Sequence, residues 1–207
     1  LPLAHVFARF LQVFQISGNG VLGHASNIKN LLNDLASFKP SYLLVVPRVL
    51  EKIYNSADTK ASGPKRKIFR WAAKIAVAYS ERGRGPLRSA QHALADKLVY
   101  QQIIRLVGGN ADYIVSGGAP LATWLAHFYR GVGIPVLEGY GLTETVGPVS
   151  VNTPRLSKIG TVGPALPPMS FKISDEGEIL LKGSSVFQHY HNDPEATAAC
   201  FTEDGWF

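Results

Sequence analysis

Cysteine, methionine and long apolar runs are scarce in this chain of 207 residues. Its one cysteine, Cys200, excludes a framework of internal disulfide bonds and is typical of a reducing compartment. No stretch reaches the ~18 uninterrupted apolar residues that a transmembrane helix needs, and no signal peptide is visible. The chain starts at Leu1 without a methionine and stops at Phe207 inside an apparent motif. We therefore expect it to be an excised piece of a longer protein.

Acidic residues are outnumbered, with 15 Asp and Glu against 21 Lys and Arg, and the net charge of +6 favours anionic partners such as nucleotides, CoA, acidic lipid or nucleic acid. The imbalance is largest over residues 59–80, which contain six Lys or Arg and no Asp or Glu. Helical spacing over 65–80 predicts an amphipathic helix with two faces. The predicted apolar face is Ile68, Trp71, Ala72, Ile75 and Tyr79, and the predicted basic face is Arg66, Arg70 and Lys74. Such a basic face suits either plain solvation or contact with an anionic membrane.

The middle of the chain alternates between strand, loop and helix patterns. A buried strand is predicted over 41–46, after a helix over 28–38 that Asn27 would cap. A short strand over 113–115 precedes the loop Ser116-Gly-Gly-Ala-Pro120, and a helix over 121–130 and a strand over 132–137 follow. This alternation predicts an α/β fold with a parallel-rich sheet and flanking helices, in which ligands bind at the carboxyl ends of the strands.

The pattern becomes all-β after Pro154. Two short strand patterns flank the turn Asp175-Glu-Gly177, which predicts a β-hairpin. We therefore expect an α/β portion over 1–154, with a basic helical insertion at about 60–106, and the start of a small β subdomain over 155–207.

Residues 138–145, Glu-Gly-Tyr-Gly-Leu-Thr-Glu-Thr, form the most informative segment. Its glycines allow a backbone to approach a ligand closely, and the ring of Tyr140 offers a stacking surface. Thr143 and Thr145 can donate hydrogen bonds to phosphate oxygens, and Glu144 is a hard oxygen ligand suited to Mg²⁺. A nucleotide phosphate with its metal ion would use all of these groups.

The segment Gly-Tyr-Gly-Leu-Thr-Glu-Thr resembles the signature of the acyl-adenylate-forming superfamily. The resemblance also includes Leu1-Pro-Leu-Ala-His5, Ser116 to Pro120, Gly160-Thr-Val-Gly-Pro164, Gly177-Glu-Ile179 and Asn192 to Thr197, so it spans the whole chain in the family's order. The long insertion at 60–106 is similar to bacterial long-chain fatty acyl-CoA synthetases. The tetrapeptide 188–191, Gln-His-Tyr-His, departs from the family's usual Gly-Tyr-Tyr, and we expect these to be surface changes.

The resemblance implies roles for individual residues. Tyr140 would stack on adenine, the threonines would approach the α-phosphate, and Glu144 would help to hold Mg²⁺. The implied catalytic residues are Thr143, Glu144 and His5, the last near the carboxylate pocket. The implied nucleotide-binding residues are Gly117, Gly118, Ala119, Pro120, Glu138, Gly139, Tyr140, Gly141, Thr143 and Thr145.

The implied activity is that of a long-chain fatty acid–CoA ligase, which uses ATP, Mg²⁺ and CoA to form an acyl-AMP and then a thioester. Two alternatives remain open at this point: an adenylating enzyme for an aryl or amino acid, and a non-enzymatic basic module that binds nucleotide or nucleic acid. On the ligase hypothesis we expect no nucleic-acid partner, a cytoplasmic location, and peripheral membrane contact through the 65–80 helix. The phosphate loop ending in Pro-Lys-Gly and the C-terminal domain with the catalytic lysine lie outside the chain, so we expect the isolated fragment to be inactive.

Overall fold

The computed structural model describes residues 3–25, 27 and 29–207. In chain order the helices and strands are α1 (Val6–Ile16), α2 (Leu31–Phe38), β1 (Tyr42–Val45), α3 (Pro47–Lys60), α4 (Gly63–Arg82), α5 (Pro86–Ala95), a π-helical turn (Asp96–Tyr100), α6 (Gln101–Leu106), β2 (Tyr113–Ser116), α7 (Thr123–Val132), β3 (Val136–Leu142), a 3₁₀ turn (Thr143–Thr145), β4 (Gly147–Val151), β5 (Ser170–Ile173), β6 (Ile179–Lys182) and α8 (Pro194–Ala199). Within the described ranges, no helix combines the length and the apolar character that crossing a bilayer demands.

Strands β1 to β4 form one sheet in the order β1-β2-β3-β4. The first three strands run parallel, and β4 is antiparallel to β3. Leu43 and Ile114 point to a core shared with helices α3 to α7. Because successive strand residues point to opposite faces, Tyr42 and Tyr113 lie on the other face, where α1 covers the sheet. The predicted α/β class with a parallel-rich sheet and flanking helices is confirmed.

Helix α7 and strand β3 begin and end later than the sequence suggests. The helix continues to Val132, and Gly133, at φ 107°, ends it in the left-handed conformation that glycine adopts most easily. Strand β3 starts at Val136 and extends to Leu142, because β4 pairs with its second half. The N-cap prediction for α2 is wrong. Asn30 occupies that position, and the side chain of Asn27 accepts a hydrogen bond from Lys29 N at 2.8 Å.

The residues that helix α4 buries are shifted by about one position along the chain from the predicted set. Phe69, Ala72, Ala73 and Ala76 are buried against the core, whereas Ile68 is 39% exposed. Periodicity alone favoured the larger side chains. The observed face is rich in alanine because α4 packs closely on α7, and small residues permit that approach.

The basic face of α4 is partly neutralised by helix α3. Asp58 accepts hydrogen bonds from Arg66 Nη2 at 2.9 Å and from Arg70 Nε at 2.9 Å. These two guanidinium groups hold the pKa of the Asp58 carboxyl well below its usual range. The sequence-based view of an uninterrupted basic face omitted this partner, because Asp58 lies one residue before the acid-free segment.

The predicted hairpin is confirmed. Strands β5 and β6 are antiparallel, with Ser170 opposite Lys182 and Ile173 opposite Ile179. A second small core joins this hairpin to β4 through Val149, Met169 and Leu181. The proposed boundary between residues 154 and 155 and the limits of the insertion stay predictions.

Candidate functional site

The two glycine segments of the sequence lie side by side in the structure. Parallel pairing of β2 with β3 ends at Ser116 opposite Glu138, and the loop after β2 begins there. A Cβ atom built on Gly117 would lie 3.5 Å from the carbonyl oxygen of Gly139, so the two backbones are in contact. The two segments therefore meet at the carboxyl edge of the parallel strands. Gly118, Ala119 and Pro120 follow with exposed surface.

The segment Gly139 to Leu142 belongs to strand β3, whereas the strand predicted from the sequence ended at residue 137. It pairs with β4, and the register shifts between Tyr140 and Gly141. A Cβ on Gly141 would overlap the carbonyl oxygen of Gly147, so only glycine fits at this crossing. The close approach of the two strands, rather than loop flexibility, explains this glycine.

Glu138 connects the two segments through both its backbone and its side chain. Its carbonyl oxygen accepts a hydrogen bond from Asn152 N at 2.8 Å, and its Oε2 accepts one from Leu121 N at 3.4 Å. Burial raises the pKa of the Glu138 carboxyl, while backbone donors from Leu121 and Gly160 act in the opposite direction. The carboxylate thus bonds the protein's own backbone, and direct contact of Glu138 with a nucleotide stays a prediction.

The 3₁₀ turn Thr143–Thr145 presents its three side chains differently. Thr143 is exposed, Glu144 is half-buried and Thr145 is buried. The Thr145 hydroxyl accepts from Leu142 N at 2.9 Å and donates to the carbonyl oxygen of Gly147 at 2.9 Å. The structure therefore assigns Thr145 to the support of this turn, contrary to the expectation that it faces a phosphate. Pattern analysis could not separate the two threonines, because only the β3–β4 pairing buries one of them.

Glu144 has a partner that the sequence analysis missed. The hydroxyl of Tyr190 donates to Glu144 Oε1 at 2.9 Å. Residues 188–191 were expected to be surface changes, and for Tyr190 this is wrong, because it contacts the proposed metal ligand. No local pattern links two residues this far apart in the chain.

One carboxylate is available for a cation at this position. Over the described residues, no cluster of three or more His, Cys, Asp or Glu side chains could hold a metal ion. Mg²⁺ in nucleotide sites is often bound by one or two carboxylates together with phosphate oxygens and water. A single glutamate beside an exposed hydroxyl fits that kind of site, and Glu144 with Thr143 would hold the ion.

His5 caps the N-terminus of α1. Its Nδ1 accepts a hydrogen bond from Phe7 N at 3.2 Å, so a neutral His5 carries its proton on Nε2. His5 also lines a cavity together with Gly117, Gly139 and Tyr140. Thr143 and Glu144 are not among the described residues that line this cavity. The predicted site residues thus fall into three groups. Some line the cavity, some form the adjoining turn, and Ala119, Pro120 and Glu138 belong to neither.

The cavity lies between α1 and the face of the sheet that carries Tyr42 and Tyr113. Its volume is about 330 Å³, which is within the range of small-molecule pockets. Three phenylalanines of α1 and the outward-facing residues of β1 and β2 make most of the wall apolar: Phe7, Phe10, Phe14, Tyr42, Leu44, Tyr113 and Val115. The sequence analysis did not find this cavity, since it depends on how α1 crosses the sheet.

Comparison with known proteins gives consistent matches over the chain. A family model described as AMP-binding enzyme matches residues 1–191. The chain is 47% identical to long-chain-fatty-acid–CoA ligase FadD15 of Mycobacterium tuberculosis and 36% identical to long chain acyl-CoA synthetase 3 of Arabidopsis thaliana. These matches cover 100% of this chain but only 35% and 33% of those proteins. The chain therefore spans about a third of the length of these relatives.

Solved structures show the same fold. The N-terminal domain of FACL13 from Mycobacterium tuberculosis matches with a TM-score of 0.66 and 21% identity, covering 100% of this chain and 45% of that one. A malonyl-CoA ligase in complex with methylmalonyl-CoA and AMP matches with a TM-score of 0.65 and 24% identity, covering 100% and 38%. Because the identities are only 21% and 24%, these matches establish the arrangement of helices and strands alone.

Proposed function

Because its residues 1–191 match the family model, the chain belongs to the AMP-binding enzyme family, and we propose that the full-length protein is an AMP-forming long-chain fatty acid–CoA ligase. The observation that carries this proposal is the apolar cavity that the Gly139–Gly141 segment helps to line. It joins space for a hydrocarbon to the segment proposed to hold a nucleotide. The similarity to long-chain fatty acid ligases supports the same substrate class.

The proposed reaction has two steps. A fatty carboxylate does not acylate a thiol directly, because oxide is a very poor leaving group. In the first step a carboxylate oxygen attacks the α-phosphorus of ATP, the bond to the β-phosphate breaks and pyrophosphate leaves. In the second step the thiol of CoA gives up its proton to solvent, its sulfur attacks the acyl carbon, and AMP leaves with the electron pair of the broken C–O bond. Positioning and charge stabilisation are therefore the main tasks of the protein.

The residues of this chain have distinct parts in that scheme. The ring of Tyr140 stacks on adenine, beside the backbone of the loop after β2. The exposed hydroxyl of Thr143 donates to the α-phosphate, and Glu144 holds Mg²⁺, which neutralises phosphate charge. His5 presents its Nε2 proton at the cavity wall, where a substrate carboxylate can accept it. Thr145 acts indirectly, because its buried hydroxyl keeps the turn in place.

The cavity wall favours an apolar acid over an amino acid. Each buried methylene contributes ~0.8 kcal/mol, so an apolar wall discriminates acids by their chain length. Among the described residues that line the cavity there is no Asp or Glu, so the ammonium group of an amino acid would lack a counter-charge. An aryl acid meets no such obstacle. Comparing palmitate, benzoate and an amino acid as substrates distinguishes these classes.

Membrane contact and location are further parts of the proposal. Arg66 and Arg70 bond Asp58, which argues against a free basic surface of the size that nucleic-acid binding uses. Lys67 and Lys74 are exposed on the side of α4 opposite its buried residues, and no ion pair involves them within the described part of the chain. We propose a cytoplasmic enzyme whose α4 lysines rest on the anionic inner face of the membrane, where long-chain acids reside.

The proposed function is tested by acid-dependent ATP–pyrophosphate exchange with the full-length protein. Wild-type protein with palmitate should exchange, and Glu144→Ala should lower the exchange rate by about 100-fold, the usual cost of removing one group that stabilises developing charge. Glu176→Ala, which removes an exposed carboxylate in the hairpin turn, is the matched control and should exchange like wild type. Absence of palmitate-dependent exchange in the wild type would contradict the proposed function. Full exchange by Glu144→Ala would contradict the role of Glu144.

A further inference from the structure

Glu144 is held from two sides by the segment 187–190, which lies between β6 and α8. The hydroxyl of Tyr190 donates to Glu144 Oε1 at 2.9 Å. The backbone N–H of Phe187 donates to the carbonyl oxygen of Glu144 at 2.7 Å. One segment thus contacts both the main chain and the carboxylate of the same residue.

Tyr190 is itself fixed by its surroundings. Its backbone N–H donates to Thr197 Oγ1 at 3.0 Å, and that hydroxyl donates to the carbonyl oxygen of Asp193 at 2.7 Å. Its ring packs against Phe187 with centroids 4.6 Å apart, and Phe187 in turn stacks on Phe201. These contacts fix the position from which the Tyr190 hydroxyl donates to Glu144.

The bond leaves the carboxylate with one oxygen available. Oε1 accepts from Tyr190, whereas Oε2 has no hydrogen-bond donor among the described residues. Groups that hydrogen-bond a metal ligand orient it and are a common part of metal sites.

We propose that Tyr190 is a positioning residue, which holds the carboxylate of Glu144 so that Oε2 faces the Mg²⁺ that accompanies ATP. This inference rests on the proposed function. Without the hydroxyl the Glu144 side chain gains rotational freedom, and the carboxylate loses its fixed direction. The expected effect is on the affinity for the metal-bound nucleotide rather than on the nucleotide alone.

The test measures binding without turnover. Full-length protein is titrated calorimetrically with ATP in excess Mg²⁺ and with ATP in EDTA, in the absence of fatty acid and CoA. Tyr190→Phe keeps the ring and its packing and removes only the hydroxyl. We expect its affinity for Mg·ATP to fall about tenfold, at the lower end of the usual effect of losing such a partner. Its affinity for ATP in EDTA should equal that of wild type.

Three comparisons decide the outcome. Tyr79→Phe is the matched control, because the Tyr79 ring stacks on His92 far from this turn and its hydroxyl has no hydrogen bond in the described structure.

Equal weakening of both titrations by Tyr190→Phe would show a purely structural role and overturn the inference. Wild-type affinity for Mg·ATP in Tyr190→Phe, with reduced affinity in Glu144→Ala, would overturn the inference and leave the proposed function standing. Unchanged affinity in Glu144→Ala would overturn the metal role of Glu144 and the inference together.

Discussion

Replacing Gly141 with alanine should damage both stability and nucleotide binding. The added Cβ would overlap the carbonyl oxygen of Gly147, and it would lie 2.6 Å from the carbonyl carbon of that residue and 2.7 Å from Pro148 Cα. All three atoms belong to the backbone, so no change of rotamer can relieve the contact. Strands β3 and β4 must separate at the point where their register already shifts.

The magnitude follows from two losses. Forcing an extra carbon into a closely packed position costs ~1–3 kcal/mol. The displaced carbonyl of Gly147 also loses the hydrogen bond from the buried Thr145 hydroxyl, at 2.9 Å, and such a bond contributes about 1 kcal/mol. We therefore expect Gly141→Ala to lower the free energy of unfolding by ~2–4 kcal/mol. The same displacement moves the turn that carries Thr143 and Glu144, so Mg·ATP affinity should fall as well.

The assay is urea unfolding of the full-length protein, followed by tryptophan fluorescence, together with calorimetric titration of Mg·ATP. Gly18→Ala is the matched control, because its new Cβ would make only ordinary contacts, the nearest at 3.8 Å, and its φ lies outside the left-handed region. The control should stay within about 0.5 kcal/mol of wild type. A Gly141→Ala variant with wild-type stability and wild-type affinity would refute the argument that the β3–β4 crossing requires glycine.

Two further sets of variants test the adenine contact and the membrane contact of the proposed enzyme. Tyr140→Ala should weaken ATP binding by about tenfold or more, since stacking of a base on an aromatic ring contributes ~1–3 kcal/mol. Tyr140→Phe keeps the ring and should bind ATP like wild type. Equal losses in both variants would show that the hydroxyl, and not the ring, is the binding group. Replacing Lys67 and Lys74 with Gln should lower sedimentation with anionic vesicles and spare turnover of a short acyl substrate. Undiminished vesicle binding would show that these lysines are only solvated.

Elements with local signals were predictable. The hairpin around Asp175-Glu-Gly177 follows from alternating residues that flank a turn sequence, and the structure contains it at 170–182. The order strand, glycine loop, helix, strand over 113–142 also follows from local patterns. Since the carboxyl ends of parallel strands share one edge, that order was enough to bring Gly117 close to Gly139.

Predictions about individual side chains succeeded less often, because burial depends on distant partners. Thr143 and Thr145 are equivalent as a pattern, yet pairing with β4 buries the second and leaves the first exposed. The predicted buried face of α4 was wrong for a similar reason. Close packing of α4 on α7 buries a face rich in small residues. The sequence indicated that Arg66 and Arg70 form a free basic surface, but in the structure both side chains pair with Asp58 of α3.

The sequence by itself determined the fold class and the order of the strands and loops, because backbone geometry and periodicity act between residues that are close in the chain. The family was indicated by the resemblance of motifs that follow one another in the family's order. Tertiary structure decided which groups of the site are available. The apolar cavity arises from the crossing of α1 over the sheet, and the bond between Glu144 and Tyr190 joins residues 46 positions apart. Contacts of this kind depend on how completed elements dock, and no pattern within a single segment encodes that docking.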